Sequence, residues 1–390
     1  MQSAVTTIAN QKSLFSLSPD ITYLNCAYMA PLLKSVEEAG IEGLRKKQSP
    51  TQYGSYEFFD EVDHVRKQFS QLVNITDYQR VAILPSVSYG MAIVAKNLPI
   101  QRGDNIVVAG EQFPSNVYPW RKLVTRAGAQ LRTVAAPTDL EKRGQRWNEH
   151  LLESIDNQTC MVTVPHTHWA DGTQFNLKAI RQRTHDVGAL LVVDGTQSVG
   201  AMPFDVADIQ PDALICAGYK WLMGPYGITL GYFSEYFDNG EPIEEGWIAR
   251  YNSQDFTNLV NYQDEYQPKA LRYDVGQRSN FILVPMMGKA LEVVIAWQSE
   301  QIQQYCRDIS VSPIEMLSEA GFWIEEESQR GHHLFGVQLP KKMPLEKLQN
   351  ALKQAKISVS VRGESVRVSP HLYNEERDLN YLAECLCSLQ

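Results

Sequence analysis

Long hydrophobic runs are missing from this sequence. No stretch of about 18 apolar residues occurs, which excludes an ordinary membrane-spanning helix. An excess of basic charge is missing too: 36 Lys and Arg face 45 Asp and Glu, for a net charge of −9. No global field therefore draws the chain to nucleic acid or to an anionic membrane. Cysteine is scarce, with 6 in 390 residues, at positions 26, 160, 216, 306, 385 and 387. That spacing matches no zinc ribbon or finger, and such sparse usage argues for reduced, buried thiols over disulfides. Cys385 and Cys387 fall in an amphipathic C-terminal stretch, where core packing is their expected role. Met1 to Asn10 lacks the basic-then-apolar layout of a signal peptide, and with the thiols this leads to a cytoplasmic expectation. There is no internal repeat and no low-complexity tract. What remains is 44% apolar and 21% charged, the composition of a globular protein long enough for two or more domains.

Between residues 81 and 233 short apolar runs alternate with helical patterns. Strands are expected at 81–84, 105–109, 130–134, 161–164, 189–193 and 213–215, with helices over 117–127 and 177–187 among the connections. Such alternation predicts a largely parallel α/β sheet covered on both faces. Ligands of such sheets gather beyond the carboxyl ends of the strands. Residues 238–267, rich in Asn, Gln, Tyr and acids, read as a long irregular excursion of the kind that often carries function. A helix over 284–308 is expected next. Strands at 321–326, 334–338 and 366–369 and helices at 345–356 and 375–389 then make a smaller α+β unit.

Two segments carry chemistry. The strand ending at Val193 runs into Asp194-Gly195-Thr196-Gln197-Ser198, which aims an acid at the ligand crevice. An Asx-type turn is the plainer use of Asp-Gly. The second segment is Ala217-Gly218-Tyr219-Lys220-Trp221-Leu222-Met223-Gly224-Pro225, just past the next strand. Its lysine stands among aromatic and apolar side chains, where a depressed ammonium pKa favours imine formation with an aldehyde. His166-Thr167-His168 puts two rings on one face of a strand end, but no Cys or Glu cluster nearby supplies further metal ligands, so no metal is expected.

Together Asp194 and Lys220 resemble the cofactor site of the class V aminotransferase family of pyridoxal phosphate (PLP) enzymes. That family includes cysteine desulfurases, selenocysteine lyases, kynureninases and isopenicillin N epimerases. The resemblance runs from Tyr23-Leu24-Asn25 to Arg367-Val368-Ser369-Pro370-His371-Leu372-Tyr373-Asn374. It implies PLP fold type I, aspartate aminotransferase-like: an N-terminal arm (1–18), a large PLP-binding domain (19–287) with a mostly parallel sheet, and a small α+β C-terminal domain (288–390). Lys220 would carry PLP as a Schiff base and shuttle protons, and Asp194 would keep the pyridine nitrogen protonated. Gln197 would bond the ring hydroxyl, and Phe113 would stack on the ring. Pro85-Ser86-Val87-Ser88-Tyr89-Gly90 is similar to the family's phosphate turn, with Val87 in place of a usual Thr and Tyr89 in place of a usual acid. Ser86, Ser88, the N–H groups of Val87 and Ser88, and the Tyr219 hydroxyl would hold the phosphate.

Arg272-Tyr273-Asp274-Val275-Gly276-Gln277-Arg278-Ser279-Asn280 resembles the loop that crosses the family's dimer interface. Ser279 and Asn280 would thus reach the neighbour's phosphate, making a homodimer with shared sites. Arg367 would grip the substrate α-carboxylate through its planar fork. Asn25, His166 and Trp169 would border the substrate. No cysteine occurs in 353–366, where desulfurases place the catalytic thiol. The implied reaction is therefore a cysteine-independent lyase on a small amino acid, by β-elimination or a retro-Claisen step. A transaminase, an epimerase or an inactive binding protein on the same fold are the alternatives.

Overall fold

A computed structural model of the chain describes residues 8–340 and 343–389. Its central sheet has β1 (Val81–Leu84), β2 (Asn105–Ala109), β3 (Gln130–Val134), β4 (Thr159–Pro165), β5 (Leu190–Asp194), β6 (Ala213–Ala217) and β7 (Thr229–Phe233). Their spatial order is β1-β7-β6-β5-β4-β2-β3. Only β7 runs backwards, antiparallel to both of its neighbours. Every residue of β1, β2 and β6 is buried, as strands covered on both faces must be. Alternate positions feed two separate cores. Val107, Val162, Leu191 and Leu214 face one, and Ile106, Met161, Val192 and Ile215 face the other.

β7 was not expected from the pattern, because Gly231 interrupts its apolar run and weakens the strand signal. Packing demands that glycine: a Cβ there would stand 2.7 Å from Leu84 Cδ1. A second sheet is antiparallel, ordered Ser360–Arg362, Ser365–Val368, Phe335–Gln338, Trp323–Ile324. The strand expected over 321–326 thus shrinks to a pair of residues. The helix expected over 284–308 is really two, Leu283–Trp297 and Ser299–Glu319, broken at Gln298 with φ 60°. Buried Trp297 at the break packs on Phe15 and His371, a tertiary cause that periodicity cannot reveal.

The N-terminal segment joins the C-terminal core. Thr22–Tyr23 pairs in parallel with Ile357–Ser358, and Leu24, Cys26 and Leu33 pack with Phe335, Val366 and Leu382. Of the expected arm, residues 1–7 lie outside the described residues. Among the described residues no helix is long and apolar enough to cross a membrane.

A buried ion cluster ties the 272–280 loop to the sheet. Arg66 gives Asp274 bonds of 2.6 and 3.2 Å, and Asp274 also accepts from the Ile83 N–H at 2.8 Å. Arg278 lies 3.2 Å from the same carboxylate. Removing one member of a buried pair leaves the other charge uncompensated. Asp274→Ala is therefore expected to lower stability by about 3–5 kcal/mol, read as an earlier urea midpoint. An unchanged midpoint would refute this role for the cluster.

Candidate active site

A cavity of about 320 Å³ opens beyond the carboxyl ends of β4, β5 and β6, where parallel sheets place their ligands. Asp194 is the last residue of β5, and its Oδ1 accepts the Thr196 N–H at 3.0 Å. Burial raises its carboxyl pKa, a penalty that a cationic partner would reverse. Lys220 follows β6 in the next loop. Burial first, then the Arg367 charge, bring its ammonium down to about 8. Its Nζ stands 5.6 Å from the centres of both the Phe113 and Tyr219 rings.

The helix Val87–Asn97 points its N-terminus at the same cavity. Ser86 caps it, accepting the Tyr89 N–H at 3.2 Å. As first-turn residues, Val87 and Ser88 have no i−4 carbonyl for their N–H groups. Ser88 Oγ donates to Ser115 Oγ at 2.9 Å. The loop carrying Phe113 and Ser115 is held by a buried amide network. Asn116 Oδ1 accepts from Thr163 Oγ1 at 2.7 Å and from Trp120 Nε1 at 3.1 Å, while its Nδ2 donates to Gln112 Oε1 at 2.9 Å. Gln197 is clamped between the Ala27 carbonyl at 3.1 Å and Trp221 Nε1 at 3.0 Å, which leaves one amide hydrogen for a ligand.

On the other wall, Trp169 meets Phe113 edge-on at 5.5 Å. Arg367 lies behind it, donating from Nη1 to the Trp169 carbonyl at 2.9 Å and from Nη2 to Ser360 Oγ at 3.3 Å. Ser360 in turn donates to Asn25 Oδ1 at 2.8 Å. The Arg367 Nε is buried without a hydrogen-bond partner.

One expectation needs correction. His166 does not border this cavity: it packs on Phe204 at 5.5 Å and lines a separate groove. Strand alternation explains this, since its neighbours Pro165 and Thr167 face the cavity. Its partner in the pair, His168, binds Asp171 at 3.0 Å. Ser279 and Asn280 do not line the cavity of their own subunit. Ser279 donates to the Phe58 carbonyl at 2.6 Å, and Asn280 Oδ1 accepts the N–H groups of Ile282 and Leu283, capping a helix. The 238–267 excursion folds back on itself through the Arg250–Tyr266 bridge, and none of its residues lines the cavity of its own subunit.

Sequence reasoning missed Ser115, Thr167, Thr196 and Tyr226, which all line the cavity. Ser115 could have been found from its place in the Phe113 motif. Thr167 was hidden between two more conspicuous histidines.

The sheet order, the lysine after one strand and the acid ending its neighbour define a PLP enzyme of fold type I. Residues 39–382 match the family described as Aminotransferase class-V. The chain belongs to that family, and it is a PLP-dependent enzyme. It is 24% identical over 326 residues to the Bacillus subtilis (strain 168) protein described as uncharacterized aminotransferase YcbU, covering 83% of each chain. It is 27% identical over 292 residues to a cysteine desulfurase of Shigella sonnei, covering 73% of this chain and 70% of that one. Among solved structures, the cystine C–S lyase C-DES in complex with its product cysteine persulfide has a TM-score of 0.84 at 18% identity, covering 95% of this chain and 98% of that one.

The residues present fit PLP. Asp194 is a buried acid without an ion pair among the described residues, the first-turn N–H groups are open, and Lys220 is desolvated. A lysine at about pH 8 supplies free amine far below the ordinary value near 10.4. Below that pH the ammonium is protonated and cannot attack an aldehyde. Reconstitution of the cofactor-free protein with PLP, followed by absorbance, should thus accelerate with pH about a midpoint near 8. A midpoint near 10 would show Lys220 to be solvated.

Proposed function

We propose that this protein is a cytoplasmic homodimeric lyase that cleaves a small α-amino acid without a catalytic cysteine. The observation that carries the reading is the hairpin before Arg367. Its strands Ser360–Arg362 and Ser365–Val368 are joined through Gly363 and Glu364 alone, with Gly363 at φ 57°. A mobile thiol-bearing loop has no room there. Thiolate chemistry is disfavoured elsewhere as well. Burial raises all six thiols, Cys26 to about 12, whereas persulfide formation needs a low-pKa thiolate.

Within this reading the residues divide the work according to their positions. PLP, when bound, supplies the electron sink for the bond broken at the substrate α-carbon. Lys220 holds the cofactor and then removes the α-proton, for which a pKa of about 8 suits it. Asp194 would keep a proton on the ring nitrogen, and the sole amide hydrogen that Gln197 has free would serve the ring hydroxyl. Phe113 would stack on the ring. Ser86, Ser88, the Val87 and Ser88 N–H groups and Tyr219 take the phosphate. Arg367 binds the α-carboxylate, with Asn25 and Ser360 orienting its fork, while Trp169 closes that side. The likeness to a cystine C–S lyase supports β-elimination. The aminotransferase name of the Bacillus relative favours a second reading, transamination.

The homodimer rests on the resemblance of the 272–280 loop to the family's interface loop. Exposed Trp247, Tyr251, Phe256 and Tyr262 add an apolar surface suited to a second copy. The proposed division into arm (1–18), PLP-binding domain (19–287) and small domain (288–390) shifts on two observations: Leu24, Cys26 and Leu33 pack in the C-terminal core, and the helix Leu283–Trp297 spans the second boundary. Free thiols among the described cysteines agree with a reducing compartment.

The test is product analysis with cysteine, cystine and other small amino acids. Pyruvate with ammonia, formed without an added keto acid, is expected. Conversion only when a keto acid is supplied would establish the transaminase. Cys26→Ser should keep at least about half of the turnover, less than ~0.5 kcal/mol of barrier. A dead variant, with a persulfide trapped on Cys26 in the wild type, would make this a desulfurase with a relocated nucleophile. Asp194→Ala should retain PLP yet lose about a hundredfold or more in turnover, ~2.7 kcal/mol of barrier. A loss below about tenfold would contradict its role.

A further inference from the structure

The hairpin that presents Arg367 carries a second arginine that the lyase reading does not use. Ser360 pairs with Arg367, and Arg362 pairs with Ser365. On the two-residue period of a strand, all four side chains therefore share one face of the hairpin. Both guanidinium groups flank one indole: Arg362 Cζ lies 5.2 Å and Arg367 Cζ 5.9 Å from the Trp169 ring centre. Trp169 itself lines the cofactor cavity.

Neither arginine forms an ion pair among the described residues, and the Nε of each is buried without a hydrogen-bond partner. Arg362 donates from Nη1 to the carbonyl of Val361, its own neighbour, at 2.9 Å. The two like charges also oppose each other. Burial first, then Arg362, bring Arg367 down to about 10. Of the other buried guanidiniums, Arg66 and Arg278 share the Asp274 carboxylate, Arg143 holds Asp171 and Glu325, and Arg330 bonds backbone carbonyls. An uncompensated, partly desolvated cation is costly unless a ligand completes it. One α-carboxylate can complete only one of the two.

The surroundings of Arg362 show where the second anion would come from. It lines an open groove of about 910 Å³ together with Asn25, Tyr28, Lys353 and Lys356, whose acidic member is Asp20. Arg362 lines this groove and Trp169 lines the cofactor cavity, so the Arg362–Trp169 contact joins the linings of the two spaces. A substrate side chain directed past Trp169 would meet the Arg362 fork on the way to this basic groove.

We infer that the substrate is an amino acid whose side chain ends in an anionic group, a carboxylate or a sulfur or phosphorus oxyanion, held by Arg362 while Arg367 takes the α-carboxylate. This rests on the assignment of the cavity as an amino-acid-binding PLP site. It is independent of whether the bond broken leads to elimination or to transamination.

Equilibrium binding tests it without relying on turnover. The PLP-loaded protein is titrated with aspartate, glutamate and cysteine sulfinate, and with the neutral isosteres asparagine and glutamine, following the cofactor's absorption spectrum. At least one of the anionic amino acids should saturate at concentrations about tenfold or more below the amides, the scale of a charge-assisted bond. In Arg362→Gln that ratio should fall towards one. Arg362→Lys, which keeps the charge but not the fork, should restore part of it. Amides binding as tightly as all the acids, or an anionic preference untouched in Arg362→Gln, would overturn the inference and leave the PLP site standing. No spectral response to any amino acid would overturn the site assignment, and the inference with it.

Discussion

The pairing of β5 with β6 is the constraint on which the site depends. Asp194 lies opposite Ile215 in that parallel register, so the acid and the loop bearing Lys220 leave the sheet side by side. Neighbouring strands stand about 4.8 Å apart, a spacing set by backbone hydrogen bonds that no side-chain substitution nearby alters. β4 adds Pro165 and Thr167 from the next position in the sheet. The remaining parts are brought to that edge. The Val87–Asn97 helix supplies an anion-binding terminus, and the amide network at Asn116 fixes the loop with Phe113 and Ser115. The second sheet contributes its arginines through the Asn25–Ser360–Arg367 contacts. A rigid edge thus positions groups drawn from widely separated parts of the chain.

Two kinds of buried charge coexist here, and the contrast separates scaffold from site. Around Asp274 each charge has its opposite, with guanidiniums on both sides and a backbone N–H besides. Around Lys220 the charges are left incomplete. The lysine is desolvated, Asp194 is pushed towards its neutral form, and Arg362 and Arg367, unlike Arg66 and Arg278, hold no carboxylate among the described residues. Incomplete burial of this kind costs stability in the empty protein and is repaid when ligands complete it. It identifies this cavity, of about 320 Å³, ahead of the larger open groove beside His166, of about 800 Å³. There the one titratable ring at the sheet edge is simply neutralised, burial bringing His166 down to about 4.

Much of this was legible in the residues themselves. The strand bounds 81–84 and 105–109 agree with β1 and β2, because a fully buried strand must be a continuous apolar run flanked by polar turns; 130–134 agrees with β3, an edge strand of mixed polarity with no fully buried residue. Asp194, Lys220 and the Ser86 turn stood out for the same reason: a polar group directly after such a run has the crevice to face. Side-chain direction was less legible. The choice of His166 over Thr167 turned on a single step of strand alternation at the end of β4, where the strand's exact terminus decides which residue faces inward. Arg362 passed unnoticed because its meaning depends on the cross-strand register with Ser365, which no local pattern encodes. The break at Gln298 was equally invisible, since its cause is Trp297 packing against residues distant in sequence.

The short hairpin links these observations to the chemistry. A longer connection at Gly363 and Glu364 would carry any reactive side chain on a mobile segment, able to visit the substrate and leave again. A tight connection cannot do this, and holds what it carries in fixed register instead. Strand-borne arginines lose little further freedom on meeting an anion, so their binding energy is spent on orientation. The same structural choice therefore removes a covalent nucleophile and adds a rigid pair of guanidiniums. On the lyase reading proposed above, bond breaking would fall to the cofactor and Lys220, and the choice of amino acid to recognition of charge.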